Sequence, residues 1–178
     1  MGRFNWNKKV EFLLEAFSHL YQMDPSFELV MVGGGGENYV AHNPAGVRYL
    51  GAITDLEQLA PLYVISDVFS FPGLVGLGPL QALCYDLPVI TIDAPNHMPE
   101  IEYLNQQNSI VLPAETTPQE YATSIFQFIE NKDTFEKFKL GVWKTIEHLT
   151  IENMAQNFID GINSVLGSKP SFRPKQND

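Results

Sequence analysis

The amino-acid sequence predicts an α/β fold in which helices cover both faces of a doubly wound parallel sheet, a Rossmann-like arrangement. Short apolar runs typical of buried strands alternate along the chain with segments of helical periodicity. Glycine or proline follows several of these runs, where the chain is expected to turn. With 178 residues, the chain is long enough for one domain with a hydrophobic core.

The first half of the chain contains two predicted strands and the helices around them. A helix is predicted over about residues 8–22, where apolar residues recur at Val10, Leu13, Leu14, Phe17 and Leu20. The run FELVMV predicts a strand at 27–32, and VRYL predicts a second at 47–50. The segment 54–57 has the spacing of a capping box, and Pro61 is expected to begin a further short helix.

The second half alternates in the same way. Strands are predicted for VFSF, PVITI and SIVL, at 68–71, 88–92 and 109–112. Helices are predicted over 78–85, 117–129, 133–148 and 151–166. We therefore expect one domain over residues 1–166, followed by a disordered tail over 167–178.

Charge and cysteine content narrow the functional classes. A net charge of -10 argues against a nucleic-acid partner, because a phosphate backbone is bound by clustered lysine and arginine. The single cysteine, Cys84, cannot form an internal disulfide, and it favours a reducing, cytoplasmic location. We expect Cys84 to be a small residue of the core.

Two glycine-rich loops, at 33–36 and 72–78, follow predicted strands. Because parallel strands end at one edge of a sheet, these loops, Gly51 and the segment 93–100 are expected to surround one ligand site. Exposed N–H groups beside glycines favour a phosphate-bearing ligand; the alternative is that the glycines serve only tight turns. A dinucleotide fingerprint is excluded by Asn38 at its third glycine position, and the Gly-Lys-Ser/Thr of a phosphate loop is absent.

Several short motifs occur in a fixed order: Gly2-Arg3 and then Lys8, VGGGG, LG, FPG…GLGPLQAL…PVI, and the Pro-Glu at 99–100. In this order they resemble the C-terminal, donor-binding half of the retaining GT-B glycosyltransferases, group 1 or family 4-like. The resemblance extends from residue 2 to about residue 129. It implies transfer of a sugar, with retention, from a UDP-sugar or GDP-sugar to an acceptor in surface polysaccharide or glycolipid synthesis.

The resemblance also implies roles for individual residues. Arg3 and Lys8 would hold the donor diphosphate and stabilise the charge that develops on the leaving group, while Glu100 would lie near the donor sugar. No metal or other cofactor is expected, in agreement with the lack of an Asp-x-Asp sequence. The further donor contacts implied are Gly33, Gly34, Gly35, Ala52, Ile53, Gly73, Gly76, Leu77, Gly78 and Gln81.

One feature of the family is absent from this sequence. The family has two glutamates separated by seven residues, whereas Gly73 and Gln81 stand at those positions here. An amide can still hydrogen-bond ribose hydroxyls, but Gly73 offers only backbone groups. Two rival interpretations therefore stay open, a non-catalytic module that has lost donor binding and a sugar-nucleotide epimerase. His97 matches no family position, and we expect it to be solvated.

Two parts of a GT-B enzyme are missing from the sequence. Without the N-terminal acceptor domain, the chain is expected to be a truncated domain that is inactive alone; the missing half leaves room for peripheral membrane association. The strand that precedes Gly-Arg in the family, between the predicted strands at 27–32 and 68–71, is also largely missing. Residues 1–5 fill part of this gap, a second chain fills it, or the sheet closes up; the sequence leaves these alternatives open.

Overall fold

The computed structural model of the protein describes residues 3–42 and 44–167, and its α/β architecture confirms the predicted fold class. Gly2 and the predicted tail beyond residue 167 lie outside the described residues. The helices are α1 (Val10–Met23), α2 (Leu56–Val64), α3 (Leu77–Leu83), α4 (Pro118–Glu130), α5 (Lys132–Ile146) and α6 (Ile151–Gly167). The strands are β1 (Leu29–Met31), β2 (Val47–Tyr49), β3 (Phe69–Phe71), β4 (Val89–Ile92) and β5 (Ser109–Leu112). Two 3-10 helices lie at Trp6–Lys8 and Pro99–Tyr103.

The strands pair in parallel within two separate sheets. β1 pairs with β2, and β4 lies between β3 and β5. Within the described residues no backbone hydrogen bond joins β1 to β3, so the sheet does not close up. The start of the chain forms no strand there from Arg3 onward; the Phe4 N–H donates to the Gly34 carbonyl (2.9 Å), beyond the end of β1.

Helices α1 and α4 cover one face of β4. Tyr121 lies fully buried at the centre of this layer, and its hydroxyl donates to the Ile90 carbonyl (2.8 Å). Because that proton is used, the Ser70 hydroxyl donates to Tyr121 (3.0 Å). Burial raises the pKa of Tyr121 well above its usual range. The buried residues of this cluster are Ala16, Phe17, Leu20, Ile90, Ile92, Tyr121, Ala122, Ile125 and Phe128.

The opposite face of β3 is covered by α2 and the end of α3. Phe69 and Phe71 flank Ser70 in the strand, so their rings point away from Tyr121. Tyr63 of α2 stacks on Phe69 with ring centroids 6.3 Å apart, and on Tyr85 at 4.8 Å. Helices therefore cover both faces of the sheet at β3 and β4, as their continuous apolar sequences predict.

Several helix ends differ from their predicted positions. Helix α1 begins at Val10, because Lys9 adopts left-handed backbone angles (φ 48°, ψ 47°) and separates it from the 3-10 helix at Trp6–Lys8. Asp55, not Thr54, caps α2, and Pro61 lies inside that helix rather than at the start of another. Cys84 is exposed at the end of α3, so its prediction as a core residue is wrong.

The capping box predicted for α4 is confirmed. The Glu120 N–H donates to the Thr117 hydroxyl (3.3 Å), and the Glu120 carboxylate accepts from the Thr117 N–H (2.8 Å). These reciprocal bonds satisfy backbone groups that helix starts leave open. The bonds from Thr117 also lower the pKa of the Glu120 carboxyl.

The contacts between residues divide the chain into two compact units, one extending to Thr145 and the other beginning at Ile146. The first contains both sheets and helices α1 to α4, and the second contains α6. The single domain over 1–166 stays a prediction. Among the residues that the structure describes, no helix is both long enough and apolar enough to cross a membrane.

Candidate functional site

The segment from Arg3 to Lys9 touches both glycine-rich loops at the carboxyl ends of β1 and β3. Near its start, Phe4 donates its N–H to Gly34 in the first loop (2.9 Å). Near its end, the Asn7 carbonyl accepts from the Leu74 N–H in the second loop (2.9 Å). The segment that carries the two predicted cations therefore bridges the two loops.

Lys8 lies half-buried at the end of β3. Its Nζ is 4.9 Å from the centroid of the Phe71 ring, a cation–π distance. Loss of solvent around the amine lowers the pKa of Lys8. None of the ion pairs between described residues includes Lys8. A partly desolvated cation without a carboxylate partner, at the end of a parallel strand, suits an anionic ligand.

Arg3 is exposed and lies next to Phe4, beside the first loop. It has no ion-pair partner in the described part of the chain. The backbone thus places Arg3 at the first glycine loop and Lys8 at the second. Convergence of both cations on one diphosphate stays a prediction.

The first loop is held in shape by Tyr49, a residue that sequence analysis did not single out. The Tyr49 hydroxyl accepts from the Gly36 N–H (3.1 Å) and lies 2.8 Å from the Gly33 carbonyl and 2.9 Å from Glu37 Oε1. A Cβ on Gly36 would come within 2.6 Å of the Tyr49 ring. The Glu37 N–H and the Tyr49 hydroxyl lower the pKa of the Glu37 carboxyl. The Tyr49 side chain therefore holds the loop at 33–36 in place through its hydrogen bonds.

Gly73 in the second loop lets another part of the chain approach closely. A Cβ on Gly73 would lie 2.5 Å from Lys8 Cα and would collide with the Asn7 carbonyl. The lack of a side chain at Gly73 thus has a structural cause, because the backbone that carries Lys8 occupies the place of its Cβ. Among the described residues, a Cβ on Gly76 would meet only Met98 Cγ, at 3.9 Å, so space remains there.

The second loop is also bonded to the segment that follows β4. Val75 donates its N–H to His97 Nδ1 (2.9 Å), and Met98 donates its N–H to the Val75 carbonyl (3.0 Å). His97 Nε2 lies 3.1 Å from the Ile92 carbonyl. The expectation that His97 is merely solvated is wrong, since both ring nitrogens are bonded to the protein.

Glu100 lies in the 3-10 helix Pro99–Tyr103, which packs against α3. Its Oε2 is buried and has no hydrogen-bond partner among the described residues. The same is true of Asn7 Oδ1, which belongs to the segment seated on Gly73. Because buried oxygens are usually paired, these two unpaired oxygens are exceptions that single out Glu100 and Asn7.

Some of the other predicted contacts border the same region. A Cβ on Gly34 would lie 3.8 Å from the Ala52 Cβ, so Ala52 adjoins the first loop. Leu77 and Gln81 lie on α3, which has seven residues and therefore presents only a weak terminal dipole. Within the described ranges, no three His, Cys, Asp or Glu side chains are grouped so that they could hold a metal ion.

Comparisons with solved structures show what this architecture is similar to. The pneumococcal O-GlcNAc transferase GtfA, in complex with UDP and GlcNAc, aligns with a TM-score of 0.73 and 18% identity over 92% of this chain and 34% of its own. Anabaena Alr3699/HepE, in complex with UDP, aligns with a TM-score of 0.70 and 18% identity over 92% and 48%. The C-terminal domain of the group 1 protein LpcC from Francisella tularensis aligns with a TM-score of 0.67 and 18% identity over 83% and 82%.

These likenesses establish a Rossmann-like fold of the GT-B type, and the chain spans about a third of GtfA. No curated protein matches the sequence. A sequence model of the family Glycosyl transferases group 1 matches residues 1–131. Because this match covers most of its length, the chain belongs to the group 1 glycosyl transferases.

Proposed function

We propose that this chain is the donor-binding half of a glycosyltransferase that binds a nucleotide-diphospho-sugar and transfers its sugar with retention. The observation that carries the proposal is Lys8, a half-buried cation that forms no ion pair with a described carboxylate and that is seated against Gly73 at the end of β3. Family membership and the UDP complexes of GtfA and HepE support the choice of ligand.

The chemistry requires positive charge at the leaving group. When the bond between the anomeric carbon and the diphosphate oxygen breaks, its electron pair goes to the departing nucleoside diphosphate. The Lys8 ammonium and the Arg3 guanidinium stabilise this growing charge more than they stabilise the intact donor, and they thereby lower the barrier. No metal is needed for that step when two cations serve it.

The remaining groups divide between the ends of the donor. Glu100 Oε2 accepts a hydrogen bond from a hydroxyl of the donor sugar, which would supply the partner that this oxygen lacks among the described residues. The base lies by the loop at 33–36 with Ala52 and Ile53, and the Gln81 amide bonds the ribose. Backbone N–H groups at Gly73, Gly76, Leu77 and Gly78 face the sugar and the diphosphate.

We extend this proposal to the whole enzyme. The acceptor belongs to surface polysaccharide or glycolipid synthesis in the cytoplasm, and a separate N-terminal domain binds it. That domain also carries any peripheral membrane association. The chain on its own is expected to bind the donor and to transfer little or no sugar.

Titration of the chain with UDP and GDP by isothermal calorimetry tests the donor site. The Lys8→Ala variant is expected to bind about 10–100-fold more weakly, the equivalent of one lost charge-assisted hydrogen bond. The matched control is Lys9→Ala, which removes the same charge one residue away. The Lys9 Nζ lies over the Phe12 ring of α1 at 5.9 Å, so affinity is expected to change less than about twofold.

Two outcomes of this titration would contradict the proposal. One is that neither nucleotide binds at millimolar concentration. The other is that the Lys8 and Lys9 variants lose affinity equally, which would indicate a general effect of charge. Either outcome would favour the non-catalytic module, whose support is the closed space at Gly73, where a glutamate has no room. An epimerase would need a pair of carboxylates, and of the described carboxylates only Glu100 has a buried oxygen without a partner.

A further inference from the structure

We propose that His97 is a positioning residue whose neutral ring holds the loop 73–76 in place and so determines the affinity for the diphosphate part of the donor. This inference rests on the function proposed above and deepens it. His97 acts through the loop, and it is not assigned a contact with the ligand.

The hydrogen bonds determine the protonation state of the ring. The Val75 N–H can only donate, so His97 Nδ1 must accept with its lone pair (2.9 Å). The hydrogen of a neutral ring then sits on Nε2 and is donated to the Ile92 carbonyl (3.1 Å). An imidazolium carries hydrogens on both nitrogens and cannot accept from Val75. The structure therefore selects the neutral Nε2–H tautomer.

Both partners of the ring belong to rigid parts of the molecule. Ile92 is the last residue of β4 and is fully buried, and Val75 is also fully buried at 0% exposure. The N–H of Met98 adds a third bond, to the Val75 carbonyl (3.0 Å). His97 thus joins the glycine loop to the end of a central strand.

The same loop is held from its other side by the segment that carries Lys8. Leu74 donates its N–H to the Asn7 carbonyl (2.9 Å), and the Asn7–Lys8 backbone fills the space in front of Gly73. A continuous path of bonds therefore runs from Lys8 through the loop to His97, three residues before Glu100. Loss of the ring would leave the loop to be ordered when the ligand binds, and that ordering weakens affinity.

Two variants of the full chain separate the two hydrogen bonds of the His97 ring, the one to Val75 and the one to Ile92. In His97→Asn, the Oδ1 atom stands where Nδ1 stood and can accept from Val75. In His97→Gln, the longer side chain reaches toward Ile92 but leaves the Val75 N–H without an acceptor. By calorimetry, His97→Gln is expected to bind UDP and GDP about tenfold more weakly, whereas His97→Asn stays within about threefold of the unchanged chain. Uridine and guanosine, which lack phosphate, are expected to bind all three proteins equally.

Two spectroscopic measurements on the same proteins supply a readout independent of the ligand. Nitrogen-15 NMR of the His97 ring is expected to show a hydrogen on Nε2 and none on Nδ1. Hydrogen exchange at the Val75 amide is expected to be slow in the unchanged chain and in His97→Asn, and fast in His97→Gln.

The outcomes keep this inference distinct from the proposed donor site. If the unchanged chain binds UDP or GDP and His97→Gln binds it equally well, the role of His97 is overturned while the donor site stands. A hydrogen on Nδ1, fast exchange at Val75 in the unchanged chain, or a His97→Gln variant that does not fold also overturns it. If the unchanged chain binds neither nucleotide, both proposals are overturned together.

Discussion

The loops that follow β1 and β3 are both rich in glycine, yet their glycines serve different physical purposes. In the first loop Gly33 and Gly35 have φ angles of 150° and 84°, conformations that side chains disfavour. In the second loop neither Gly73 nor Gly76 has a positive φ, and Gly73 is needed because the Asn7–Lys8 backbone touches it. The first loop therefore needs glycine for its backbone conformation, whereas the second loop needs glycine because a side chain has no space.

The two loops also differ in what holds them. A tyrosine side chain reaches into the first loop and bonds to its peptide groups. The second loop is held by a backbone carbonyl from Asn7 on one side and by the His97 ring on the other. The difference matters for the proposed function, because the second loop is bonded to Asn7, the residue before Lys8, whereas the first loop is bonded to Phe4 and to Tyr49 of β2.

The largest effect that would sharpen this comparison is expected for Gly73→Ala. The new Cβ would collide with backbone atoms of Asn7 and Lys8, which cannot move without displacing the segment. We expect a loss of about 2–3 kcal/mol in the free energy of unfolding, measured with urea, together with weaker UDP and GDP binding. The control is Gly76→Ala, since its Cβ meets only a flexible methionine at 3.9 Å. Equal stability of the two variants would refute the steric role of Gly73.

The control variant also tests the ligand side of the second loop. If Gly76 keeps side chains away from the donor, Gly76→Ala is expected to lower nucleotide affinity without lowering stability. Unchanged affinity for UDP and GDP in calorimetry would show that Gly76 is not part of the donor site.

A smaller effect is expected for Gly35→Ala in the first loop. At a φ of 84° an alanine is strained by about 1–2 kcal/mol, and its Cβ would lie 3.2 Å from the Phe4 carbonyl. Urea unfolding measures the loss, with Gly34→Ala as the control, because Gly34 lacks a positive φ and its Cβ would meet Ala52 at 3.8 Å. A Gly35 variant as stable as the Gly34 variant would break the contrast between the loops.

The smallest effect is expected for Tyr49→Phe. Loss of the hydroxyl removes the partner of the Gly36 N–H and of the Gly33 carbonyl, and we expect the protein to be destabilised by about 1 kcal/mol. Tyr39→Phe is the matched control, since no hydrogen bond of the Tyr39 hydroxyl occurs among the described residues. Hydrogen exchange at Gly36 is expected to accelerate in the first variant only. Equal exchange in both variants would show that Tyr49 does not brace the loop.

Local patterns in the sequence predicted most of the fold. Strand β4 reads as VITI and is buried at every position, and the Thr117 capping box starts α4 where it was predicted. The order of glycine loops at strand ends also predicted a position for the candidate site, because parallel strands present their carboxyl ends on one edge. These features depend on neighbours within a few residues, so they are visible in the sequence.

The features that the sequence did not predict depend on contacts between residues that are far apart along the chain. Tyr49 bonds to a carbonyl 16 positions earlier, and His97 bonds to an N–H 22 positions earlier. Neither residue type nor spacing marks them. Lys9 adopts a left-handed conformation that is usually left to glycine, and this moved the start of α1. Cys84 sits in an apolar pattern yet is exposed, because α3 ends at that residue.

The separation of β1 from β3 has a consequence for handling the purified chain. In the described residues β1 pairs only with β2, and β3 pairs only with β4, so each of the two strands has one edge without a partner strand. Unsatisfied strand edges act as templates for pairing with other molecules. Concentrated solutions are therefore expected to accumulate aggregates that dilute solutions lack, and a short synthetic β-strand peptide that occupies these edges is expected to suppress them.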